Sequence, residues 1–313
     1  MAATTQEPQA LDHANLLATL RFSQQAPMIL GGKGGLQDDP ETYDRLEQLF
    51  FSCLQTGDDR SALQCLEQLT RRFGASNERV QGLRGLYQEA VAGNQSDLEE
   101  CLRKYDEAIS ENPMNVPILK RRISLLRSMS RPAEAIGALV DLLKAIPTDS
   151  ESWCELGDLY QSEGMTSQAI FCLEEALLLV PNAWNIHARL GEVLYISACS
   201  SEGETSTQLL DRSIRYFCRS VELCDHYLRG LYGLALATSS FSKGNHSNDL
   251  QKPASGVVGN IVSKESFEKL HDFATAELRS IVEHRSLNLQ QWEYAQGELI
   301  AAKELLDRLG KSS

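Results

Sequence analysis

Residues 150–182 read SESWCELGDLYQSEGMTSQAIFCLEEALLLVPN, and two helical halves are visible in that one stretch. Trp153, Leu156 and Tyr160 recur at helical spacing and turn one apolar face toward a partner helix. Gly157 and Ala169 stand where the two helices would cross, since small side chains let backbones approach. Leu173 and Ala176 continue the apolar face of the second half. Pro181 cannot continue a helix interior, so the second helix must stop there.

The same pattern recurs outward from this stretch. Pro113, Pro147 and Pro181 lie 34 residues apart. In register before them stand Cys101, Ala135 and Ala169, then Tyr105, Leu139 and Leu173, then Ala108, Leu142 and Ala176. A 34-residue period is the mark of the tetratricopeptide repeat, in which each unit is one antiparallel helix pair. The expected fold is therefore all-α, a solenoid of helix-turn-helix pairs. These residues build any array of this type, so they speak for fold and not for function.

Expected pairs occupy residues 43–54 with 60–73, 79–92 with 96–110, 116–130 with 132–146, and 150–163 with 167–180. A fifth pairs 184–196 with 208–223, and the Ser-, Glu- and Gly-rich segment 197–206 reads as an insertion in its turn. A sixth begins at 227. Four regions follow: an N-terminal extension over 1–40 with a short helix and a Gly-rich linker, the repeat array over 41–240, a flexible loop over 241–262, and C-terminal helices over 263–313 that cap the solenoid. The glycines at 31, 32, 34 and 35 lack phosphate-loop spacing and no strand precedes them, so a connector is expected.

Composition narrows the function classes. The net charge of −13, from 43 acidic and 30 basic residues, argues against nucleic acid, which demands a basic footprint. Eight cysteines contain no C-x-x-C pair and read as reduced, buried thiols of a cytosolic chain. The longest apolar run, residues 176–180, is far short of the roughly 18 needed for a membrane span. No signal peptide is expected at the start of the chain. The six histidines show no H-E-x-x-H, no G-x-S-x-G occurs, and no cysteine has a histidine partner within its repeat. No catalytic residue, cofactor, metal or small-molecule substrate is expected. His187 takes the slot that Trp153 fills one repeat earlier, which predicts a packed imidazole.

Several stretches resemble one family of repeat proteins. They are Phe50-Phe51-Ser52-Cys53 through Arg71-Arg72-Phe73, Lys104-Tyr105-Asp106 through Pro113 with Lys120-Arg121-Arg122, and Trp153 through Glu175. Across residues 43–240 the chain resembles the family of subunit 2 of the endoplasmic-reticulum membrane protein complex, in a fungal-like form. The first 40 residues, the 197–206 segment and the region after Phe241 depart from it. The resemblance implies a non-catalytic scaffold on the cytosolic face of the endoplasmic-reticulum membrane, held there by cytosolic segments of membrane-spanning subunits. That complex inserts transmembrane proteins into the bilayer.

The rival reading is a soluble adaptor or co-chaperone that holds peptide segments in a concave groove. Arrays that clamp a C-terminal carboxylate do so with Lys and Asn at set positions. Here those positions read Lys120, Ser124, Glu155, Asn185 and Arg189, and Glu155 would set like charge beside the ligand. The candidate groove comprises Lys120, Ser124, Arg127, Glu151, Asp158, Gln161, Asn185, Glu192 and Tyr195. A basic patch from Lys120 to Arg131 precedes an acidic one at Glu151, Glu155 and Asp158, which would orient a partner by complementary charge.

Overall fold

The computed structural model describes residues 16–31, 39–243, 264–287 and 296–310, and among them every element is an α-helix. In chain order these are α1 (Leu16–Ser23), α2 (Ala26–Leu30), α3 (Pro40–Thr56), α4 (Asp59–Phe73), α5 (Glu78–Val91), α6 (Gln95–Glu111), α7 (Val116–Ser128) and α8 (Pro132–Ala145). Then come α9 (Ser150–Ser162), α10 (Thr166–Leu179), α11 (Trp184–Ser200), α12 (Gly203–Leu223), α13 (Leu228–Lys243), α14 (Lys264–Leu287) and α15 (Gln296–Gly310). They form helix pairs of the tetratricopeptide type with closing helices at the C-terminal end. The chain divides into two compact units, residues 1–138 and 139–313, the division falling within α8.

In the first unit α3 packs on α4, α4 on α5, and both α5 and α6 on α7. Its core joins Leu46, Leu49, Phe50 and Cys53 of α3 to Ala62, Cys65, Leu66 and Leu69 of α4, with Val80 and Leu83 of α5. Each buried Leu or Phe of this set contributes about 1.5–3 kcal/mol by leaving water. Helix starts are capped by short polar side chains. Asp39 accepts from the Thr42 N–H at 2.7 Å, Asp58 from Ser61 at 3.1 Å, and Asn115 from Ile118 at 3.3 Å. Asn94 accepts from the Asp97 N–H at 2.9 Å while the Asp97 carboxylate accepts from Gly93, a reciprocal arrangement that sharpens the α5–α6 turn.

The extension is less separate than its composition suggests. Residues 27–30 form most of α2, and Ala26 is fully buried in the first core with Phe22, Ile29 and Leu30 against it. The short helix expected in the extension is seen from Leu16 to Ser23; residues 1–15 and the glycines at 32, 34 and 35 lie outside the described residues.

In the second unit α9 packs on α10, α10 on α11, α11 on α12, and α12 on α13. Leu173 and Ala176 of α10 share a core with Ile186, Leu190, Val193 and Leu194 of α11. A Cβ on Gly157 would lie 3.3 Å from Leu173 Cγ and 3.5 Å from the Ala169 carbonyl oxygen, so α9 and α10 touch through a position with no side chain. One repeat on, a Cβ on Gly191 would sit 3.0 Å from the Phe217 ring. The largest core runs from α11 through α15 and includes Phe217, Leu231, Phe267, Leu278 and Leu305.

The segment 197–206 is not a turn insertion. It lengthens both helices of the pair: α11 runs to Ser200 and α12 starts at Gly203. Burial drives this, because Ala198 and Thr207 are nearly inaccessible and Leu210 joins the large core. Gly203 takes φ 66°, and the Ser206 hydroxyl donates to the Ala198 carbonyl at 2.8 Å, closing the short link. The expected loop at 241–262 also begins later, since α13 runs to Lys243; residues 244–262 lie outside the described residues.

Candidate functional site

The candidate surface is built from first helices, those on which all nine groove residues lie. In the first unit α7 carries Lys120, Ser124 and Arg127. The Ser124 hydroxyl donates to the Lys120 carbonyl at 3.0 Å, a bond back along its own helix, while Arg127 is exposed. Two arginines of the expected basic patch turn to the preceding helices. Arg121 and the Tyr105 hydroxyl both bond Glu89, and Arg122 reaches Asp106 at 2.7 Å. Burial, then the charge of Glu89, pushes the Tyr105 phenol far above its ordinary range. Arg131 is shared between Glu134 and Glu99.

In the second unit α9 carries Glu151, Asp158 and Gln161, and α11 carries Asn185, Glu192 and Tyr195. Glu151 and Asn185 are exposed. Asp158 accepts from Arg189 at 2.9 Å, Arg189 also donates to Glu192 at 3.1 Å, and Glu192 accepts from Nε and Nη2 of Arg229. Tyr195 is half-buried with its hydroxyl 3.0 Å from Ser240 Oγ, and burial raises its pKa. Gln161 Oε1 is buried without a partner.

These contacts form a rule that repeats in both units: a carboxylate on one first helix pairs with an arginine on the next. Glu47 with Arg79, Glu89 with Arg121, Asp158 with Arg189, and Glu192 with Arg229 follow it. Two asparagine amides span one 34-residue period, for Asn112 donates to Glu78 at 2.8 Å and Asn115 to Gln81 at 2.6 Å. Exposed pairs contribute about 0–1 kcal/mol each, so the ladder sets spacing more than stability. Much of the charge expected to steer a partner is thus engaged within the chain. Glu89, Arg229 and Ser240 were not anticipated from motifs, nor was the bond from Tyr105, a residue of the packing columns, to Glu89; opposite charges about one repeat apart are the signal that points to the first two.

The residues read as packing residues divide. Leu156, Gly157, Ala169, Leu173 and Ala176 are buried, Trp153 and Tyr160 are half-buried, and Pro181 is exposed. Trp153 lies across Phe171 edge-on, ring centres 6.1 Å apart, and its indole N–H donates to the Pro147 carbonyl at 2.9 Å. His187 repeats that bond one period later: its Nε2 lies 2.9 Å from the Pro181 carbonyl oxygen. Pro181 therefore acts through its stop and its carbonyl rather than through burial. His187 is 8% exposed, and its Nδ1 has no partner.

All eight cysteines are free thiols. Among the described residues no group of three or more His, Cys, Asp or Glu side chains could hold a metal ion, and no helix is long and apolar enough to cross a membrane.

Comparison with known proteins gives a consistent set of relatives. A family model described as the EMC2 TPR-like repeat domain matches residues 75–209. TPR repeat protein oca3 of Schizosaccharomyces pombe is 36% identical over 214 residues, covering 68% of this chain and 71% of that protein. ER membrane protein complex subunit 2 of Xenopus tropicalis is 33% identical over 192 residues, 61% of each chain. Its namesake in Saccharomyces cerevisiae is 27% identical over 239 residues, 74% of this chain and 80% of that one.

Proposed function

The chain belongs to the tetratricopeptide-repeat family of ER membrane protein complex subunit 2, and from that premise we propose that it is a non-catalytic cytosolic scaffold of such a complex. It would sit on the cytoplasmic face of the endoplasmic-reticulum membrane, held by cytosolic segments of membrane-spanning subunits, and organise that side of a machine that inserts transmembrane proteins. The observation that carries this is the family match together with the repeat architecture, which supplies long ordered helix faces.

The proposed contacts lie on the first-helix faces of each unit taken by itself. On α7 these are Lys120, Ser124 and Arg127; on α9 and α11 they are Glu151, Asp158, Gln161, Asn185, Glu192 and Tyr195. The intrachain ladder would hold the spacing of these helices, while the exposed Arg127, Glu151 and Asn185 are positioned for contact. Affinity purification of the full chain from solubilised membranes should recover several membrane-spanning partners in fixed stoichiometry. Recovery of soluble chaperones alone would sink the reading in favour of a free adaptor.

A further inference from the structure

The outer face of the second unit carries a feature that the first-helix surface does not use. On α10, Phe171, Glu174 and Leu178 share one side at spacing i, i+3, i+7, and the two apolar side chains are 54% and 75% exposed. Large apolar groups on the outside of a soluble helix, grouped with an aromatic neighbour (here Trp153, edge-on to Phe171), mark contact sites. On α12, Arg212, Arg215 and Arg219 repeat the same i, i+3, i+7 spacing. Arg212 donates to Glu174 at 2.6 Å, which sets the two stripes side by side.

Along the arginine stripe lies a depression of about 280 Å³, lined by His187 of α11 and by Arg212, Arg215, Tyr216 and Arg219 of α12. The arginines have intrachain partners: Glu174 for Arg212, Asp211 for Arg215 at 2.9 Å and Glu222 for Arg219 at 3.0 Å. None of those three carboxylates lines the depression. A guanidinium carries five N–H donors in a planar fork, so one intrachain contact leaves capacity for a second carboxylate.

We propose that α10 and α12 dock one amphipathic acidic helix of a partner protein, its apolar residues seated on Phe171 and Leu178 and its carboxylates entering the arginine-lined depression. Matching i, i+3, i+7 stripes are what a helix lying along a groove reads. The pairing of apolar anchors with guanidinium groups selects an acidic segment and disfavours a basic one. An anionic membrane surface fits poorly, because it would meet a chain of net charge −13 and press Glu174 into the headgroups. The proposal rests on the assembly reading above and specifies one surface of it.

The test places the photo-cross-linking residue p-benzoyl-phenylalanine at Leu178 in the full chain, expressed in its own cells, and identifies the adduct by mass spectrometry. The expected adduct is a protein segment with Asp or Glu recurring every three or four residues among apolar ones. Arg215→Glu in the same chain should lower its yield at least about tenfold. A lipid adduct, a basic segment, a second copy of this chain, or a yield unmoved by Arg215→Glu overturns the proposal. So does absence of any adduct from a chain whose helical circular dichroism is intact. Co-purification of membrane-spanning subunits is scored on the same sample: if they are recovered without an adduct, the docking surface fails alone. If an acidic helix is captured without them, the surface stands and the family function falls.

Discussion

Trp153 and His187 show how one position serves two chemistries. Each lies six residues past a repeat proline and sends a ring nitrogen to that proline's carbonyl oxygen at 2.9 Å. Trp153→Phe keeps an aromatic ring beside Phe171 but removes the N–H bond and part of the packed indole, so urea unfolding should show a loss of at least about 1 kcal/mol. Trp153→Ala should cost about 2 kcal/mol, less than the roughly 3–5 of a fully enclosed aromatic, because the indole is half-buried. His187→Phe removes the bond together with a buried unpaired nitrogen, and should cost less than Trp153→Phe. The thiols give a second test. Cys199 is exposed, whereas burial pushes Cys53 up to about 11 and Cys65 and Cys172 up to about 12. Peptide mapping after brief iodoacetamide treatment of native protein should find Cys199 alkylated and Cys53, Cys65 and Cys172 untouched; a modified Cys172 would contradict the packing of α10. The Trp153 and His187 slots were legible from the 34-residue period. That their partners are proline carbonyls was not, because a periodicity records which residues are alike and says nothing of what they touch.

Two helix contacts of the second unit, at Gly157 and Gly191, are made where a side chain is missing. Gly191→Ala sets a methyl 3.0 Å from the Phe217 ring and should lower stability by about 1–2 kcal/mol. Gly137→Ala, in α8 with nothing within 4 Å, should raise it by about 0.5–1 kcal/mol through helix propensity and a less flexible unfolded chain. Thermal or urea denaturation of the two variants side by side reads opposite signs; equal signs would mean that α11 and α12 are not packed as described. Helix pairs through 180 were readable because apolar periodicity, prolines and polar caps all agree there. The 197–206 stretch was misread because Ser, Glu and Gly signal a loop locally. What makes it helical is the burial of Ala198 and Thr207 and the place of Leu210 in a core that includes α13, a contact partner remote in sequence. The carboxylate–arginine ladder shares that character, since each rung joins residues 31 to 37 positions apart.

Across the full chain, alkaline pH should unfold the protein by a route that buried thiols dictate. Cys65 and Cys172 move from an ordinary value of 9.0 up to about 12, and Cys154 and Cys218 up to about 11, burial being the first cause each time. Tyr105 moves in the same direction. Below about pH 9 these groups hold their protons in both states and stability is complete. Above it the unfolded chain ionises first while the folded chain does not, so stability falls as pH rises toward 12. Urea midpoints should decline steadily from pH 9 to pH 11, and Cys65→Ala should flatten part of that slope; a flat wild-type profile would refute the burial of these thiols. The all-α repeat class, the pairing of neighbouring helices and the family lie in local signals: apolar spacing, proline stops and short motifs that each repeat carries whole. Tertiary structure alone decided which charges meet, how the 197–206 stretch is spent, and that Phe171 and Leu178 face outward beside an arginine stripe. Those outcomes depend on which surfaces adjacent repeats bury against each other, and that free energy belongs to pairs of residues tens of positions apart rather than to any one stretch of chain.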